Sequence, residues 1–342
     1  MIQKLLTIVI PAYNSEAYLG DCLDSLVIPE IMNKVEVLIV NDGSKDNTLK
    51  IAKSYEDKYP DYFHAIDKEN GNYGSVMNKG LSLAKGKYFR TLDSDDQYDK
   101  EGYIHFVNSL NESQADIIVS EISSCKSDGT IEHRTHFDKH LTIDQDLTID
   151  KTFVDFLSKS NMLFVGCITY KTDLLRKSGL LWDENVFYSD GEFLFWPLKK
   201  IKTYRLVSKP VYIYTVGREG QSISTESTLK NFHSYDVVCN SLLDEYKKCV
   251  DYSKIVVPIQ RKILYDWIIK CYWDLIYNKG THASEVKQID AKLKEIDSYL
   301  YEKMGNDTRY NRMPFVKSFR KSNSGFWYLL SKTIYSLRQK FS

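Results

Sequence analysis

Short apolar runs, each stopped by a polar cluster, recur through the first hundred residues. Leu5 to Ile10 is apolar except for Thr7 and is halted by Pro11. Val35 to Val40 is continuously apolar and ends in Asn41-Asp42-Gly43-Ser44, and Tyr62 to Ile66 and Lys87 to Leu92 are shorter runs of the same kind. Apolar runs of this length closed by turn formers read as buried strands. Between them the spacing changes. Leu19, Cys22, Leu23 and Leu26 recur at helical intervals after Asn14 or Ser15, either of which suits a cap. Ser44 is placed to cap a helix over 45–58, and a third helix is expected over 75–85. Strand and helix alternating in units of roughly 30 residues predict a doubly wound, mostly parallel α/β sheet. Ligands of such sheets sit beyond the carboxyl ends of the strands. Here those ends carry Tyr13 and Asn14, then Asp42, then Asp93, Asp95 and Asp96.

The last of these clusters has the most pronounced chemistry. Tyr88 to Asp96 reads as a strand running straight into three carboxylates. Like charges at a strand end repel one another unless a cation sits among them; the alternative is a solvated acidic turn.

From about Leu229 the strand signals stop. Pro258 to Tyr277 is dense in Ile, Leu, Trp and Tyr, with Lys262, Asp266, Lys270 and Asp274 as a charged stripe, which predicts a buried helix and excludes a membrane span. Val286, Ile289, Leu293, Ile296, Leu300 and Met304 predict one further amphipathic helix, capped by Ser284. Residues 1–228 and 229–342 are therefore expected as an α/β domain, with halves 1–100 and 101–228, and a helical C-terminal appendage. The end of the chain is basic: Arg309, Arg312, Lys317, Arg320, Lys321, Lys332, Arg338 and Lys340 occur with no acid after Thr308. Phe326, Leu329, Leu330, Ile334, Leu337 and Phe341 share one helical face. That stripe suits either an anionic membrane surface or packing on the protein itself or a second subunit in a homo-oligomer.

Composition narrows the classes. The 342 residues carry 46 basic and 46 acidic side chains, so no global basic footprint points to nucleic acid. Six scattered cysteines without a Cys-x-x-Cys pair suit a reducing compartment and argue against a zinc site or disulfide scaffold. The apolar run at the N-terminus is too short for a signal peptide, and no run approaches the ~20 residues of a membrane span, so a cytoplasmic protein is expected. An aromatic fraction of 13%, with 25 tyrosines, accompanies sugar or base stacking. Neither a Gly-x-Gly-x-x-Gly turn nor a Walker loop follows the first strand. A glycine-bearing loop, Asn70-Gly-Asn-Tyr-Gly74, precedes the third helix and would let backbone approach a ligand.

Taken together, Ile8-Val-Ile-Pro-Ala-Tyr-Asn-Ser-Glu16, Val40-Asn-Asp-Gly-Ser44 with Asp46, Asn78-Lys-Gly80 with Ala84 to Tyr88, and Leu92-Asp-Ser-Asp-Asp96 resemble the family 2 glycosyltransferases of the GT-A fold. The sequence departs from that pattern at Val76-Met77, where many members have Ala-Arg, so an arginine contact to the nucleotide is missing or supplied elsewhere. The resemblance implies a UDP-sugar donor and Mn2+ or Mg2+ bound by Asp95 in the Asp-x-Asp motif. It also implies that Asp93 reaches the ribose, with Asp96 in support, and that Asp42 accepts from the base, beside Tyr13 and the Pro11–Ala12 backbone. Asn14, Glu16, Gly71, Asn78 and Ser94 belong to the same donor surface. Further on, Asp190 matches the family's catalytic base, with Glu192 in reserve; Asp190 is equally suited to cap the helix that follows. Arg218 and Ser222 match a mobile loop that closes over the diphosphate. The implied activity is a metal-dependent inverting transfer to a glycan, glycolipid or glycoprotein acceptor at the cytoplasmic face of the membrane. A sugar nucleotidyltransferase would place a glycine- and arginine-rich loop where Pro11 to Glu16 stands. A non-catalytic glycan- or partner-binding module on the same fold would bind without turnover.

Overall fold

The computed structural model describes residues 4–126, 128–216, 230–277, 281–307 and 315–321. The chain forms two compact units, Met1–Glu219 and Gly220–Ser342. The first opens as the hydrophobic pattern predicts: β1 (Leu6–Ala12), α1 (Leu19–Leu26), α2 (Pro29–Met32), β2 (Val35–Asp42), α3 (Thr48–Lys58), β3 (Phe63–Lys68), α4 (Asn72–Leu83) and β4 (Tyr88–Thr91). It continues through β5 (Gln97–Tyr98), α5 (Lys100–Glu112), β6 (Ile117–Cys125), β7 (Ile131–His133), β8 (Asp146–Thr148), α6 (Lys151–Lys159), β9 (Ile168–Lys171), α7 (Thr172–Ser178), α8 (Asp190–Phe195) and β10 (Thr203–Thr215).

The strands make one sheet in the order β3-β2-β1-β4-β9-β6-β10-β5, with β7 on β6 and β8 on β10. β3, β2, β1 and β4 are parallel. The order reverses between β1 and β4, which makes that crevice the binding position of an open α/β sheet. Beyond β4 the sheet is mixed: β9 runs antiparallel to both β4 and β6, whereas β6 and β10 are parallel. All eight residues of β2 are buried, as are six of the seven of β1, so the apolar runs are continuous rather than alternating.

Two polar groups are locked inside this core. Glu36 is 1% exposed, and its Oε1 accepts from Thr7 Oγ1 and from the amides of Lys85 and Gly86, tying β2 to the turn that enters β4. Arg90 in β4 is fully buried. Its guanidinium donates to Ser120 Oγ and Thr169 Oγ1 at 3.1 Å and to the Gly166 carbonyl, and lies 4.8 Å from the Phe106 ring centroid. Among the described residues no carboxylate pairs with it. Neutral acceptors and ring faces carry the cost of burying this charge.

Several expected caps take other positions. Asn14 adopts a left-handed conformation (φ 47), while the Ser15 carbonyl accepts from Tyr18 and Leu19, so the chain turns once more before α1 begins. Ser44 accepts from the Asn14 amide and α3 starts only at Thr48, because Asp46 takes the Thr48 amide. Asp190 is the first residue of α8, with Ser189 in the cap position.

The second unit is helical. Helix Val257–Tyr277 agrees with the apolar run, and Lys262 pairs with Asp266, but Asp274 turns to His282 at 2.7 Å rather than completing the stripe. The single amphipathic helix expected after Ser284 is two, Ala283–Ile296 and Ser298–Gly305. Asp297 breaks it: its carboxylate caps Leu300, receives Arg261 and accepts from the Tyr246 hydroxyl, which offsets the interrupted backbone. Ser284 bonds to Glu285 instead of capping. Of the basic end, Phe315–Lys321 is a helix that packs on its own unit: Arg320 donates to both oxygens of Asp290 and sits 3.5 Å from the Tyr301 ring centroid. Residues 322–342, with the apolar stripe from Phe326, lie outside the described residues, as do Arg309 and Arg312. No helix among the described residues is long and apolar enough to cross a membrane.

Replacing Arg90 with alanine leaves Ser120, Thr169 and the Gly166 carbonyl without their donor and opens a cavity. The expected loss is about 3 kcal/mol or more; urea unfolding checks it, and an unchanged midpoint would contradict the role given to Arg90.

Candidate active site

The acid turn is held from both ends. β4 pairs with β1 on one side, while β5, immediately after Asp96, pairs with β10 through Tyr98 and Tyr212. β10 reaches that position through an irregularity. Its register shifts around Pro210, which has no N–H to give to the ladder, and Lys209 takes a left-handed φ of 72. Past this bend, the Tyr212 hydroxyl donates to Asp96 Oδ2 at 2.6 Å and accepts from the Asp93 amide at 3.3 Å. The Thr215 amide donates to Asp96 Oδ1 at 2.7 Å. Asp96 is therefore fully buried with both oxygens engaged, which makes it the anchor of the turn, while Asp93 and Asp95 are half-buried at its rim.

Burial raises the proton affinity of Asp93, and the charges of Asp96 and Asp190 add to it; Asp96 is also raised by burial, against the pull of its Thr215 and Tyr212 bonds. Asp190, from a distant part of the sequence, is thus close enough for its charge to act on Asp93. Carboxylate oxygens of Asp93, Asp95 and Asp96 all lie within 4.8 Å of one another. Hard oxygen donors packed this closely, with mutual repulsion to relieve, fit Mg2+ or Mn2+, which takes one or two protein carboxylates beside substrate phosphates.

The other strand ends build walls around this turn. Asn14 is stitched to the loop after β2 by its amide on Ser44 and by its Oδ1, which accepts from Lys45. Ser15 Oγ and Ser94 Oγ are 2.8 Å apart, joining the β1 loop to the acid turn. Glu16 Oε2 accepts from both nitrogens of Asn47, so this carboxylate braces the start of α3. Pro11 and Ala12 complete β1, and Tyr13 is 54% exposed at its mouth.

Asp42 is buried at the end of β2. Its Oδ1 receives Lys68 at 2.7 Å and the Gly71 amide at 3.0 Å, and its Oδ2 receives Asn70 at 3.0 Å. Sequence reasoning missed Lys68. Its ammonium also donates to Ser75 Oγ at 2.7 Å, which sets a fixed positive charge at the glycine loop. Val76 and Met77, where the family pattern has Ala-Arg, are core residues and send nothing toward the site.

The Asn78 carboxamide clamps Trp182 through both backbone groups, at 3.0 Å each, and reaches Glu184 at 2.9 Å. Gly71 accepts from Asn185, and a Cβ on Gly74 would lie 2.0 Å from the Asp183 carbonyl, so the loop before Asp190 rests directly on α4. Glu192 is buried and accepts from the Asp183 amide, whereas Asp190 is half-buried. Tyr188, two residues earlier, is held at a φ of 63, a backbone conformation that costs free energy for a non-glycine residue. Tyr73 was also missed: its hydroxyl is buried beside Asp93 and Asp190 and makes no hydrogen bond among the described residues. Arg218 and Ser222 lie outside the described residues.

A β1–β4 switch point, an Asp-x-Asp turn and a downstream carboxylate facing it define a GT-A type transferase fold. The family model for glycosyl transferase family 2 matches residues 7–177, half of the chain, and the chain belongs to that family. An uncharacterized glycosyltransferase of Rickettsia typhi is 29% identical over 245 residues, covering 71% of this chain and 73% of that protein. The minor teichoic acid biosynthesis protein GgaB of Bacillus subtilis is 27% identical over 301 residues, covering 86% of this chain but only 32% of GgaB. Among solved structures, S. aureus TarS 1–349 in complex with UDP-GlcNAc shares the fold, with a TM-score of 0.66 and 18% identity over 98% of this chain and 92% of that one.

Substituting Tyr212 with phenylalanine removes the donor to Asp96 but keeps the ring. The carboxylate is then left partly unsatisfied, with an expected cost of about 1–3 kcal/mol. A thermal-melt decrease relative to the wild type checks this; an unchanged melt would mean that Thr215 alone anchors Asp96.

Proposed function

We propose that the chain is a metal-dependent, inverting glycosyltransferase. It takes a sugar from a UDP-sugar and places it on a hydroxyl of a glycan, glycolipid or glycoprotein acceptor in bacterial surface polysaccharide or glycoprotein biosynthesis. The observation that carries this reading is the convergence of Asp93, Asp95 and Asp96 at the switch point with Asp190 alongside. The TarS structure contains UDP-GlcNAc, which makes that sugar nucleotide the first donor to try, and the biosynthetic role in GgaB's name supports a cell-surface glycan as acceptor.

In this reading Asp95, with support from its neighbours, holds Mn2+ or Mg2+. A metal held there would supply positive charge for the departing diphosphate. Asp93 accepts from a ribose hydroxyl, Asp42 from the uracil, and Tyr13 lies against the base above the Pro11–Ala12 backbone. Asn14, Glu16, Gly71, Asn78 and Ser94 hold the loops that shape the donor surface, and Arg218 and Ser222 close over the diphosphate. Asp190 takes the proton from the acceptor hydroxyl as its oxygen attacks the anomeric carbon, on the face opposite the bond to the diphosphate that breaks. That geometry inverts the anomeric centre.

Metal-dependent release of UDP from a panel of UDP-sugars tests the activity, and the absence of binding or turnover with any of them would overturn it. Asp95→Ala should abolish metal-dependent donor binding. Asp190→Asn should keep donor binding and lose transfer by about a hundredfold or more; full activity in that variant would remove Asp190 from the role of base.

A peripheral position at the inner face of an anionic membrane is proposed from the basic, aromatic stretch at the end of the chain. Because Arg320 is committed to Asp290, the informative truncation removes only 322–342. It should release the protein from anionic liposomes, whereas unchanged partitioning would assign the stretch to packing.

A further inference from the structure

Away from the acid turn, three metal-ligand side chains meet where β7 folds back on β6. Glu121 lies within β6, His133 ends β7 and His136 follows three residues on, and one donor atom from each lies within 4.8 Å of the other two. The turn that brings them together is pinned. Arg134 and Thr135 both donate their amides to the Ile122 carbonyl, and Thr135 Oγ1 accepts the Ile122 amide at 2.9 Å. Thr135 is buried while His133 and His136 are exposed, so the two imidazoles flank a fixed residue. Their ring centroids are 4.7 Å apart with the planes at 79°.

Glu121 is oriented from the other side. Its Oε1 accepts the Phe137 amide at 2.6 Å, which turns Oε2 toward His133 Nε2 at 3.9 Å. That separation is too long for a hydrogen bond. Two ligands sharing one tetrahedral ion at ~2.0–2.1 Å each stand about 3.3–3.4 Å apart, so closing this gap by about half an ångström would seat the ion.

We propose that Glu121, His133 and His136 form a second metal site, selective for a borderline divalent ion of the Zn2+ class and separate from the all-carboxylate cluster. Two imidazoles and one carboxylate suit zinc, whereas magnesium and manganese prefer oxygen alone. The bound Phe137 amide is the outer contact that holds a ligating carboxylate in place. The ion clamps the 133–137 turn onto β6. Arg134, between the two histidines, lies 5.1 Å over the ring of Tyr214, two residues beyond the Tyr212 that anchors Asp96. The clamp therefore fixes Arg134 over Tyr214, and the exposed histidines leave the ion exchangeable.

Untagged full-length protein, stripped of metal and held in excess Mg2+, is titrated with Zn2+ by calorimetry and with Co2+ by visible absorption. One equivalent should bind, with Co2+ giving ligand-field bands. His133→Ala and His136→Ala should each weaken binding at least tenfold, and Asp95→Ala in the other cluster should not. Zinc should also slow proteolysis within residues 128–137 in the wild type and in Asp95→Ala, and not in the two histidine variants. The proposal is overturned if the wild type shows no saturable single-site binding, or if both histidine variants bind as the wild type does. Because both histidines are exposed, their variants remain informative even where Glu121→Gln fails to fold.

Discussion

Burying a carboxylate beside two others is unfavourable unless its oxygens are satisfied, and Asp96 is the residue at which this fold meets that cost. Tyr212 and Thr215, both on β10, occupy its two oxygens. The same tyrosine receives the Asp93 amide, so one hydroxyl sets the spacing between the anchored acid and the one at the rim. With Asp96 committed, Asp93 and Asp95 are presented half-buried at the switch point of the sheet, where each raises the cost of ionising its neighbour. The bend of β10 around Pro210 is what brings Tyr212 to this position. The donor-side acids thus depend on a strand more than a hundred residues downstream.

The rest of the site follows the same economy. Backbone at positive φ is found at Asn14 and Tyr188, in two of the loops near the acid turn, and at Asn72, the first residue of α4. Each is over-determined by polar contacts nearby: Ser44 and Lys45 on Asn14, the Asp42–Lys68–Gly71 group beside Asn72, and the Asn78–Trp182 clamp before Tyr188. Strain persists only where the surroundings enforce it. The loops can therefore present a defined surface without ligand.

In this chain the usual arginine position holds the buried Met77, and the cation at the glycine loop is Lys68, fastened to Asp42 and Ser75. Arg134, on the opposite flank, lies over Tyr214. Neither was visible from motif spacing, because each reaches its place across the sheet rather than along a helix or loop already marked by the pattern.

The apolar runs and helical intervals of residues 5–92 were enough to predict the parallel α/β half. A strand buried on both faces and a helix with one apolar stripe leave periodicities that survive in a linear chain. The acids at Asp42, Asp93, Asp95 and Asp96 could be placed at strand ends for the same reason. The helix starts were harder to read, because Asn14, Ser15 and Ser44 are all suitable caps and partners distant in sequence decide which group each one serves. Likewise Asp297, one acid among many in a helical pattern, splits a helix because Tyr246 and Arg261 meet it from two other helices. The antiparallel β9 between β4 and β6, the anchoring of Asp96 by Tyr212 and the approach of Asp190 to Asp93 are contacts between segments distant in sequence. Local sequence determined which residues carry charge at the strand ends; the tertiary structure decided which of those charges are tied down and which face the crevice, because buried polar groups choose partners by position in space.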